Sequence, residues 1–252
     1  NEVSDQLTFT LEESEYLGAQ VGLSLSPEFI DIDSDGDYDL FIGEYNGKIN
    51  YYENTGTSAN PNFINQGLLS NIDLGFFSIP EFCDIDNDAD YDLFIGNYDG
   101  QIYFYENTGD QQNFNFSESN LDIELDTEHS RSAPRFIDLD YDGDFDLLLG
   151  TATDGVSIYW NTGNQDEHNF IKDTCLDIPY FGYHVKPSVV DIDDSGSFDM
   201  IVGLSTGGFL HYKMSRFSDL NYDNNIDISD IIIAVNEILY SSNDISMKIN
   251  NS

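Results

Sequence analysis

The sequence predicts an all-β fold, a β-propeller built from four blades of four strands each. A nine-residue acidic stretch occurs four times, and its copies begin 53 or 54 residues apart, at Asp31, Asp84, Asp138 and Asp191. Short apolar segments flank each copy. Aromatic residues make up 14% of the chain and are almost all Tyr or Phe, which favours strands. Repeats of roughly 40–50 residues that hold several strands are typical of propellers.

Each repeat carries signals for an inner strand, the acidic loop, two strands joined by a tight turn, and an outer strand. In the first repeat the Asn46-Gly47 pair is a strong hairpin signal. We predict the strands of this repeat at residues 28–32, 38–43, 48–53 and from 62 onward. The outer strands of the second and third repeats are predicted at residues 113–116 and 168–172.

The fourth repeat ends after its third strand, which is predicted at residues 209–213. An isolated alternating segment, Leu7–Leu11, has the character of an outer strand. If this N-terminal strand completes the last blade, every sheet has four strands and the ring has no open edge. The closed ring of four blades is our preferred hypothesis. A segment of a larger ring, with seven or eight blades, is the alternative.

Carboxylates are densely packed in each acidic stretch. In the first copy an acid falls at every second position from Asp31 to Asp39, and Gly36 stands where the loop must turn. Carboxylates at this density repel one another unless a cation lies among them. Calcium, which takes six to eight oxygen ligands at about 2.3–2.6 Å, is the natural cation. The sequence therefore predicts one calcium ion in each of the four loops.

The recurring pattern D-x-D-x-D-G-x-x-D-L resembles the FG-GAP/VCBS repeats of secreted bacterial proteins, which are similar to the calcium-binding blades of integrin α-subunit propellers. The resemblance covers about residues 1–216. It implies calcium in the loop between the innermost and second strands, bound by side chains at loop positions one, three, five and nine and by the carbonyl at position seven. The four implied ligand sets are Asp31, Asp33, Asp35, Asp37 and Asp39; Asp84, Asp86, Asp88, Asp90 and Asp92; Asp138, Asp140, Asp142, Asp144 and Asp146; and Asp191, Asp193, Ser195, Ser197 and Asp199.

Two copies depart from the pattern. Ala89 replaces the glycine at position six, which costs backbone strain if that position needs a positive φ. Ser195 replaces an aspartate at position five, so we expect the fourth site to be the weakest. Asp194 could partly substitute for the missing carboxylate.

The C-terminal segment, residues 217–252, predicts a separate calcium loop followed by a helix. A twelve-residue loop begins at Asp219, and the apolar residues Ile231, Val235, Ile238 and Leu239 mark one side of a helix that ends by Tyr240. The segment resembles a single dockerin repeat, which implies a cohesin-like partner and a fifth calcium ion. Complete dockerins have two such repeats, so the unit is either half of one or a cap on the propeller. The candidate ligands are Asp219, Asn221, Asp223, Asn225, Asp227 and Asp230.

The composition limits the partners of the chain. Its 252 residues include 48 acidic and 8 basic ones, a formal charge of −40, which would repel nucleic acid and anionic membrane surfaces. No run of 18 apolar residues predicts a membrane-spanning helix. The chain begins at Asn1, which suits a processed product, and weak oxygen-rich calcium sites fill outside cells. We therefore expect a secreted protein, extracellular or at the cell surface.

The two cysteines, Cys83 and Cys175, fall in different repeats. Cys83 takes the place that Ile30 holds in the first repeat, so we interpret it as a small buried apolar residue. A disulfide between the two cysteines is left open.

No catalytic motif is evident in the sequence. The four histidines are scattered, and neither a nucleophile motif nor a phosphate-binding loop occurs. We therefore expect a non-catalytic module for adhesion, carbohydrate binding or assembly. The alternative is a polysaccharide lyase, because Arg131, Arg135 and Lys186, with His129 and His184 beside them, lie in successive linkers and could neutralise a uronate.

A ligand surface is predicted on the face opposite the calcium loops, where the linkers between blades meet the turns between second and third strands. Exposed aromatic rings with polar neighbours suit sugar rings or a protein surface. The alternative is that several of these rings fill the central channel. The predicted residues are Tyr16, Tyr45, Asn46, Phe76, Phe77, Tyr98, Asp99, His129, Arg131, Tyr183 and His184.

Overall fold

The structure is a computed structural model that describes residues 22–120, 123, 125, 131–153, 155–164, 168–174, 178, 185–193, 195–203 and 208–214. Within these residues there are fifteen strands and no helix. The predicted N-terminal strand at residues 7–11 and the predicted loop and helix at residues 219–240 lie outside the described part of the chain.

Three sheets have four antiparallel strands each, in sequence order from one edge to the other. The first sheet contains β1 (Ser26–Ile30), β2 (Asp39–Gly43), β3 (Ile49–Asn54) and β4 (Phe63–Leu68). The second contains β5 (Ser78–Cys83), β6 (Asp92–Asn97), β7 (Ile102–Asn107) and β8 (Phe116–Ser119). The third contains β9 (Ser132–Ile137), β10 (Asp146–Thr151), β11 (Gly155–Asn161) and β12 (Phe170–Lys172).

The fourth sheet has three described strands, β13 (Pro187–Val190), β14 (Asp199–Gly203) and β15 (Phe209–Lys213), in the same order. The four sheets are the blades of a β-propeller, so the predicted fold class is confirmed. In every blade the acidic loop joins the first strand to the second, as predicted. Whether the N-terminal strand completes the fourth blade stays a prediction.

Several strand boundaries differ from the sequence prediction; for example, the outer strand of the third blade begins at Phe170 instead of residue 168. The first strand ends at Ile30 instead of residue 32, because Asp31 already belongs to the loop and its carboxylate binds loop amides. The outer strand of the second blade begins at Phe116 instead of residue 113, because residues 110–115 fold back on Asn107 in a closed turn. In this turn the side chains of Asp110 and Asn107 accept hydrogen bonds from backbone N–H groups, so the backbone forms a turn even though the alternating apolar residues had suggested a strand.

The chain divides into two compact units. The first comprises residues 1–187 and 203–208, and the second comprises residues 188–202 and 209–252. In the first unit, one apolar core lies between the first and second blades and includes Phe41, Phe82 and Leu93. Another lies between the second and third blades and includes Phe94 and Leu147. In the second unit the side chains of Val189, Met200 and Val202 are buried.

Neighbouring blades of the first unit approach each other closely at a glycine that is the last or the penultimate residue of the second strand. A Cβ atom on Gly43 would collide with the carbonyl oxygen of Ser78, and one on Gly96 would collide with that of Ser132. Gly150 has the same relation to the carbonyl of Val185. This glycine, four residues after the ninth aspartate of each loop, therefore permits close contact with the backbone at or just before the inner strand of the next blade, independently of any ion.

Candidate functional site

The first acidic loop is folded by its own carboxylates. Asp31 accepts hydrogen bonds from the backbone N–H groups of Asp35, at 3.0 Å, and Gly36, at 3.1 Å. The side chain of Asp35 accepts from the N–H of Asp37 at 2.9 Å. These bonds wind the loop tightly, so that one oxygen from each of Asp31, Asp33 and Asp35 lies within 4.8 Å of the other two.

The same geometry recurs in the other three loops. The first-position aspartate accepts from the N–H groups at positions five and six in each copy, at 2.7–3.2 Å. Three carboxylates converge in each loop, again with oxygens within 4.8 Å of one another. The converging sets are Asp84, Asp86 and Asp88; Asp138, Asp140 and Asp146; and Asp191, Asp193 and Asp199. The structure thus brings together three of the predicted carboxylates in every loop.

Position six of each loop requires a left-handed backbone. The φ angle is +91° at Gly36, +100° at Gly143 and +77° at Gly196. Ala89 adopts +75° at the equivalent place, so this alanine is strained, as the sequence suggested. A glycine or a strained residue is needed here because the loop reverses direction beneath its first carboxylate.

The ninth-position aspartates are buried where the second strand begins. Asp39 is 2% exposed, and its Oδ1 accepts a hydrogen bond of 2.6 Å from the N–H of Asn54, while its Oδ2 has no partner among the described residues. Asp92 and Asp146 bind Asn107 and Asn161 in the same way, at 2.7 and 2.8 Å. Burial raises the pKa of Asp39, of Asp92 and of Asp146 to about 7. A cation beside them would reverse this effect, because it stabilises the ionised form.

Two seventh-position aspartates are also buried, although the sequence assigned only their carbonyls to the metal. Asp90 and Asp144 are 7% and 6% exposed, and Oδ1 of each lacks a hydrogen-bond partner among the described residues. Burial, with the charges of the neighbouring loop carboxylates, raises the pKa of each to about 6. These side chains add negative charge close to the second and third loops.

The fourth loop differs because basic side chains already compensate two of its carboxylates. Nζ of Lys213 donates to Asp193 at 2.7 Å, and Nε2 of His211 lies 2.7 Å from Oδ1 of Asp199. The hydrogen bond from Lys213 lowers the pKa of Asp193, and the one with His211 lowers the pKa of Asp199. Sequence reasoning missed this pair, although their places two residues apart on β15 put both on one face of the strand.

The asparagine of a repeated Asn-Thr-Gly motif was also missed as part of the site. The side chain of Asn54 accepts from the N–H groups of Gly56, at 3.1 Å, and Asn62, at 2.8 Å, which closes the turn into the outer strand. Its backbone N–H meanwhile binds the ninth aspartate of the loop, Asp39. The signal was available, because the asparagine follows that aspartate by fifteen residues in the first three repeats.

A second group of predicted residues lies at the other end of the inner strands. Phe77, in the linker before β5, donates its N–H to the carbonyl of Tyr45, and Arg131, before β9, donates to that of Tyr98. The guanidinium of Arg131 lies 4.5 Å from the centre of the Phe77 ring and 5.2 Å from that of Tyr98. Phe76 is 54% exposed beside them. The linkers between blades therefore contact the turns between second and third strands, as predicted. The other predicted residues Tyr16, His129, Tyr183 and His184 lie outside the described residues.

Two of the cations considered for a lyase site are bound to carboxylates. Arg135 lies on strand β9 and not in a linker, where the sequence analysis had placed it, and donates to Glu81 at 3.0 Å. Lys186 lies in the linker before β13 and donates to Glu28 at 2.9 Å. Glu81 is 1% exposed, and burial raises its pKa to about 7 despite the nearby guanidinium of Arg135. These pairs join the inner strands of the first three blades to the linker before β13.

Cys83 is a free, buried thiol, as its place in the repeat suggested. Burial raises the pKa of this thiol well above its usual range, which makes the thiolate scarce. Cys175 lies outside the described residues.

Comparison with known proteins agrees with the repeat geometry. A family model for an FG-GAP-like repeat matches residues 84–149, which run from the second acidic loop to the strand after the third. No curated protein matches the chain significantly. Among the residues that the structure describes, no helix is long and apolar enough to cross a membrane. The middle of the chain is therefore similar to FG-GAP-like repeats, and its repeats fold as propeller blades.

Proposed function

We propose that this protein is a calcium-stabilised β-propeller that acts outside the cell as a non-catalytic binding module. The observation that carries the proposal is the fourfold recurrence of converging carboxylates, each set wound by hydrogen bonds within its own loop. Ordinary solvated acidic turns have no reason to converge in this way four times, because like charges repel.

Calcium fits the converging donor set, which in the first three loops consists of carboxylate oxygens without sulfur or imidazole. In those loops the ninth aspartate is buried and has no basic partner among the described residues, so a bound cation would compensate a charge that folding otherwise makes costly. In the fourth loop Lys213 and His211 compete for the same carboxylates. We therefore propose three stronger calcium sites and one weaker one in the propeller.

Calcium removal tests the proposal. Calcium that binds only the native state stabilises it by mass action, by about 2.7 kcal/mol per site at a hundredfold excess over the dissociation constant. We expect excess chelator to lower the melting temperature by more than 10 °C, and elemental analysis of the dialysed protein to find at least three calcium ions per chain. An unchanged melt, with no bound metal, would refute the calcium part of the proposal.

Binding without catalysis is supported by the kind of repeat and by the ion pairs. FG-GAP-like repeats are typical of extracellular proteins and are generally not catalytic. A lyase would need its cations available for substrate, yet Arg135 and Lys186 are each bound to a carboxylate. A glycan array, read with and without calcium, tests for binding. Absorbance of unsaturated products from pectin or alginate tests the lyase alternative.

The dockerin-like tail and its cohesin-like partner remain proposals that rest on the sequence of residues 219–230 alone. Titration of calcium into the isolated peptide 217–252, followed by circular dichroism, should show a gain of helix if this segment binds calcium. A flat titration would remove the fifth site from the proposal.

A further inference from the structure

A cavity of about 600 Å³ lies between the first three acidic loops, close to the ends of β5 and β9. We call it the loop-side cavity. Ser34, Asn87 and Asp144 contribute to its lining from the first, second and third loops. The lining residues Ser34, Asn87 and Tyr91 are exposed, so the cavity is open to solvent. Its volume is within the range of about 300–1,000 Å³ that is usual for ligand pockets.

The lining of the loop-side cavity is negatively charged. Among the described residues that line it, Asp84 and Asp144 are acidic and none is basic. Arg135, which precedes the lining residue Phe136, is paired with Glu81 at 3.0 Å. Even with a calcium ion bound, each of the first three loops would keep a formal charge of −3, because each has five aspartates. The cavity and its surroundings therefore suit a cationic ligand.

Asp144 has a carboxylate oxygen that no described residue satisfies. The residue is 6% exposed, and its Oδ1 has no hydrogen-bond partner among the described residues. A buried carboxylate without a donor is costly. The other lining carboxylate already uses both of its oxygens, since Oδ1 of Asp84 accepts from the N–H of Asp88 and Oδ2 accepts from that of Ala89. A ligand of this cavity should therefore donate a hydrogen bond to Asp144.

Aromatic rings add to the attraction for a cation. Tyr91 and Phe145 hold position eight of the second and third loops, and both line the cavity with Phe82 and Phe136 of the inner strands. The face of an aromatic ring attracts an ammonium or guanidinium group within about 6 Å of its centre. Rings and a carboxylate acceptor, without a basic residue among the described lining, form a suitable site for an organic cation that carries N–H groups.

From the charge, the oxygen of Asp144 and the rings, we infer that the loop-side cavity binds the side-chain ammonium of a lysine on a partner protein. The inference rests on the proposed binding function and names a partner class for it. An ammonium is a compact donor that suits one unsatisfied oxygen, whereas a guanidinium is matched best by two. The acidic loops around the cavity favour a basic protein surface over a small amine, because they extend the charge complementarity beyond the cavity.

Isothermal titration of the full chain in saturating calcium tests the inference. The probe is the peptide acetyl-Gly-Lys-Gly-amide, compared with peptides that hold norleucine, trimethyl-lysine or arginine in place of the lysine, and with n-butylamine. We expect the lysine peptide to bind at least tenfold more tightly than the uncharged norleucine peptide, and more weakly as salt rises. We expect it to bind at least threefold more tightly than the other three probes, because trimethyl-lysine keeps the charge but has no N–H to donate.

Two substitutions at the lining test the named contacts. Asp144→Asn should weaken binding of the lysine peptide at least tenfold, and Tyr91→Leu should weaken it about two- to fivefold. The matched control is Asp90→Asn, at the same loop position. Asp90 is 7% exposed and its Oδ1 also lacks a described partner, but it is not among the described residues that line the cavity. Asp90→Asn should leave peptide binding within threefold.

The calcium content and the melting temperature check that each variant is folded and keeps its ions. Equal losses of binding in Asp144→Asn and Asp90→Asn would indicate general attraction to an acidic protein and would overturn the inference. Loss of calcium from Asp144→Asn would assign its side chain to the metal and would also overturn it. Equal or tighter binding of any comparison probe would overturn the choice of a lysine. Glycan binding on the array without binding of the lysine peptide would refute this inference alone and leave the proposed binding function intact.

Discussion

At the scale of single residues, the loops contain aspartates with two different environments. In the second loop, Asp86 and Asp88 at positions three and five are exposed, whereas the ninth, Asp92, is 2% exposed and accepts hydrogen bonds from two backbone N–H groups. Burial makes Asp92 costly to ionise without a cation, so we expect it to make stability depend on pH and, if the proposed calcium site is correct, on calcium.

The effect of Asp92→Asn on stability should therefore have opposite signs with and without calcium. In calcium, Asp92→Asn should lower the melting temperature and weaken one site at least tenfold, because a charged ligand is lost. In chelator at pH 8 it should be at least as stable as the wild type, because the wild type must ionise a buried acid whose pKa is raised to about 7.

The pH dependence supplies a second measure of Asp92. Because the pKa in the folded protein exceeds that in the unfolded chain, the metal-free wild type should lose stability as pH rises from about 4 to about 7. The Asp92→Asn variant should lose less stability over this pH range than the wild type. Urea unfolding at a series of pH values measures the loss, and Asp99→Asn, at an exposed residue, is the control that should behave like the wild type. An Asp92→Asn variant that is less stable than the wild type at pH 8 in chelator would contradict the argument.

Ala89 gives a prediction that does not involve charge. Its φ of +75° costs a residue with a Cβ about 1–2 kcal/mol, of which the added freedom of glycine in the unfolded chain offsets about half. Ala89→Gly should therefore raise the free energy of unfolding by about 0.5–1 kcal/mol. Urea unfolding with saturating calcium measures the change. The control is Ala152→Gly, at a buried residue without a positive φ, which should lower the free energy of unfolding. If both substitutions changed the free energy of unfolding in the same direction, the prediction would be wrong.

At the scale of elements, the contact between neighbouring blades depends on one glycine per repeat. Gly96, at the end of β6, lies directly against the carbonyl of Ser132 and the ring of Pro134 on β9. The hydroxyl of Ser132 also accepts from the N–H of Asn97 at 3.0 Å. The second strand of one blade is thus fastened to the inner strand of the next by packing and by a buried hydrogen bond.

Gly96→Ala should lower the free energy of unfolding by more than about 2 kcal/mol, because backbone, and not a flexible side chain, would have to move. Gly203 is the matched control at the same place in the fourth repeat, since no described atom lies within 4 Å of a Cβ built there. Gly203→Ala should change stability by less than about 0.5 kcal/mol. Equal effects of the two substitutions, measured by urea unfolding in calcium, would show that the contact does not govern stability.

At the scale of the whole molecule, charge is distributed unevenly. The chain carries a formal charge of −40, yet the inner strands of the first unit hold alternating charges that join separate blades. Glu81, on β5, forms an ion pair with Arg135, on β9. The same guanidinium nitrogen of Arg135 lies 3.9 Å from a carboxylate oxygen of Glu28, on β1. This arrangement ties together residues that are far apart in the sequence, and Glu81 makes it sensitive to pH.

Glu81→Gln should flatten the pH dependence of stability. Burial raises the pKa of Glu81 to about 7 in the folded protein, so the wild type binds more protons when folded and loses stability as pH rises from about 4.5 to 7. Ionisation of Glu81 should lower the free energy of unfolding by on the order of 3 kcal/mol over this pH range. Unfolding in saturating calcium from pH 5 to 8 should show a smaller slope in Glu81→Gln, while the exposed Glu118→Gln keeps the wild-type slope. Equal slopes in all three proteins would refute the role of Glu81.

The sequence by itself determined the all-β class, the number of blades and the position of every acidic loop, because these follow from spacing within a repeat. It also located the strained Ala89 and the divergent fourth copy, in which Ser195 replaces an aspartate, because both are local departures from a repeated pattern. Only the tertiary structure decided which carboxylates converge, that Asp90 and Asp144 are buried, and that Arg135 and Lys186 are bound to Glu81 and Glu28. Those contacts join residues 54 and 158 positions apart, and packing between blades, which no local pattern records, brings them together.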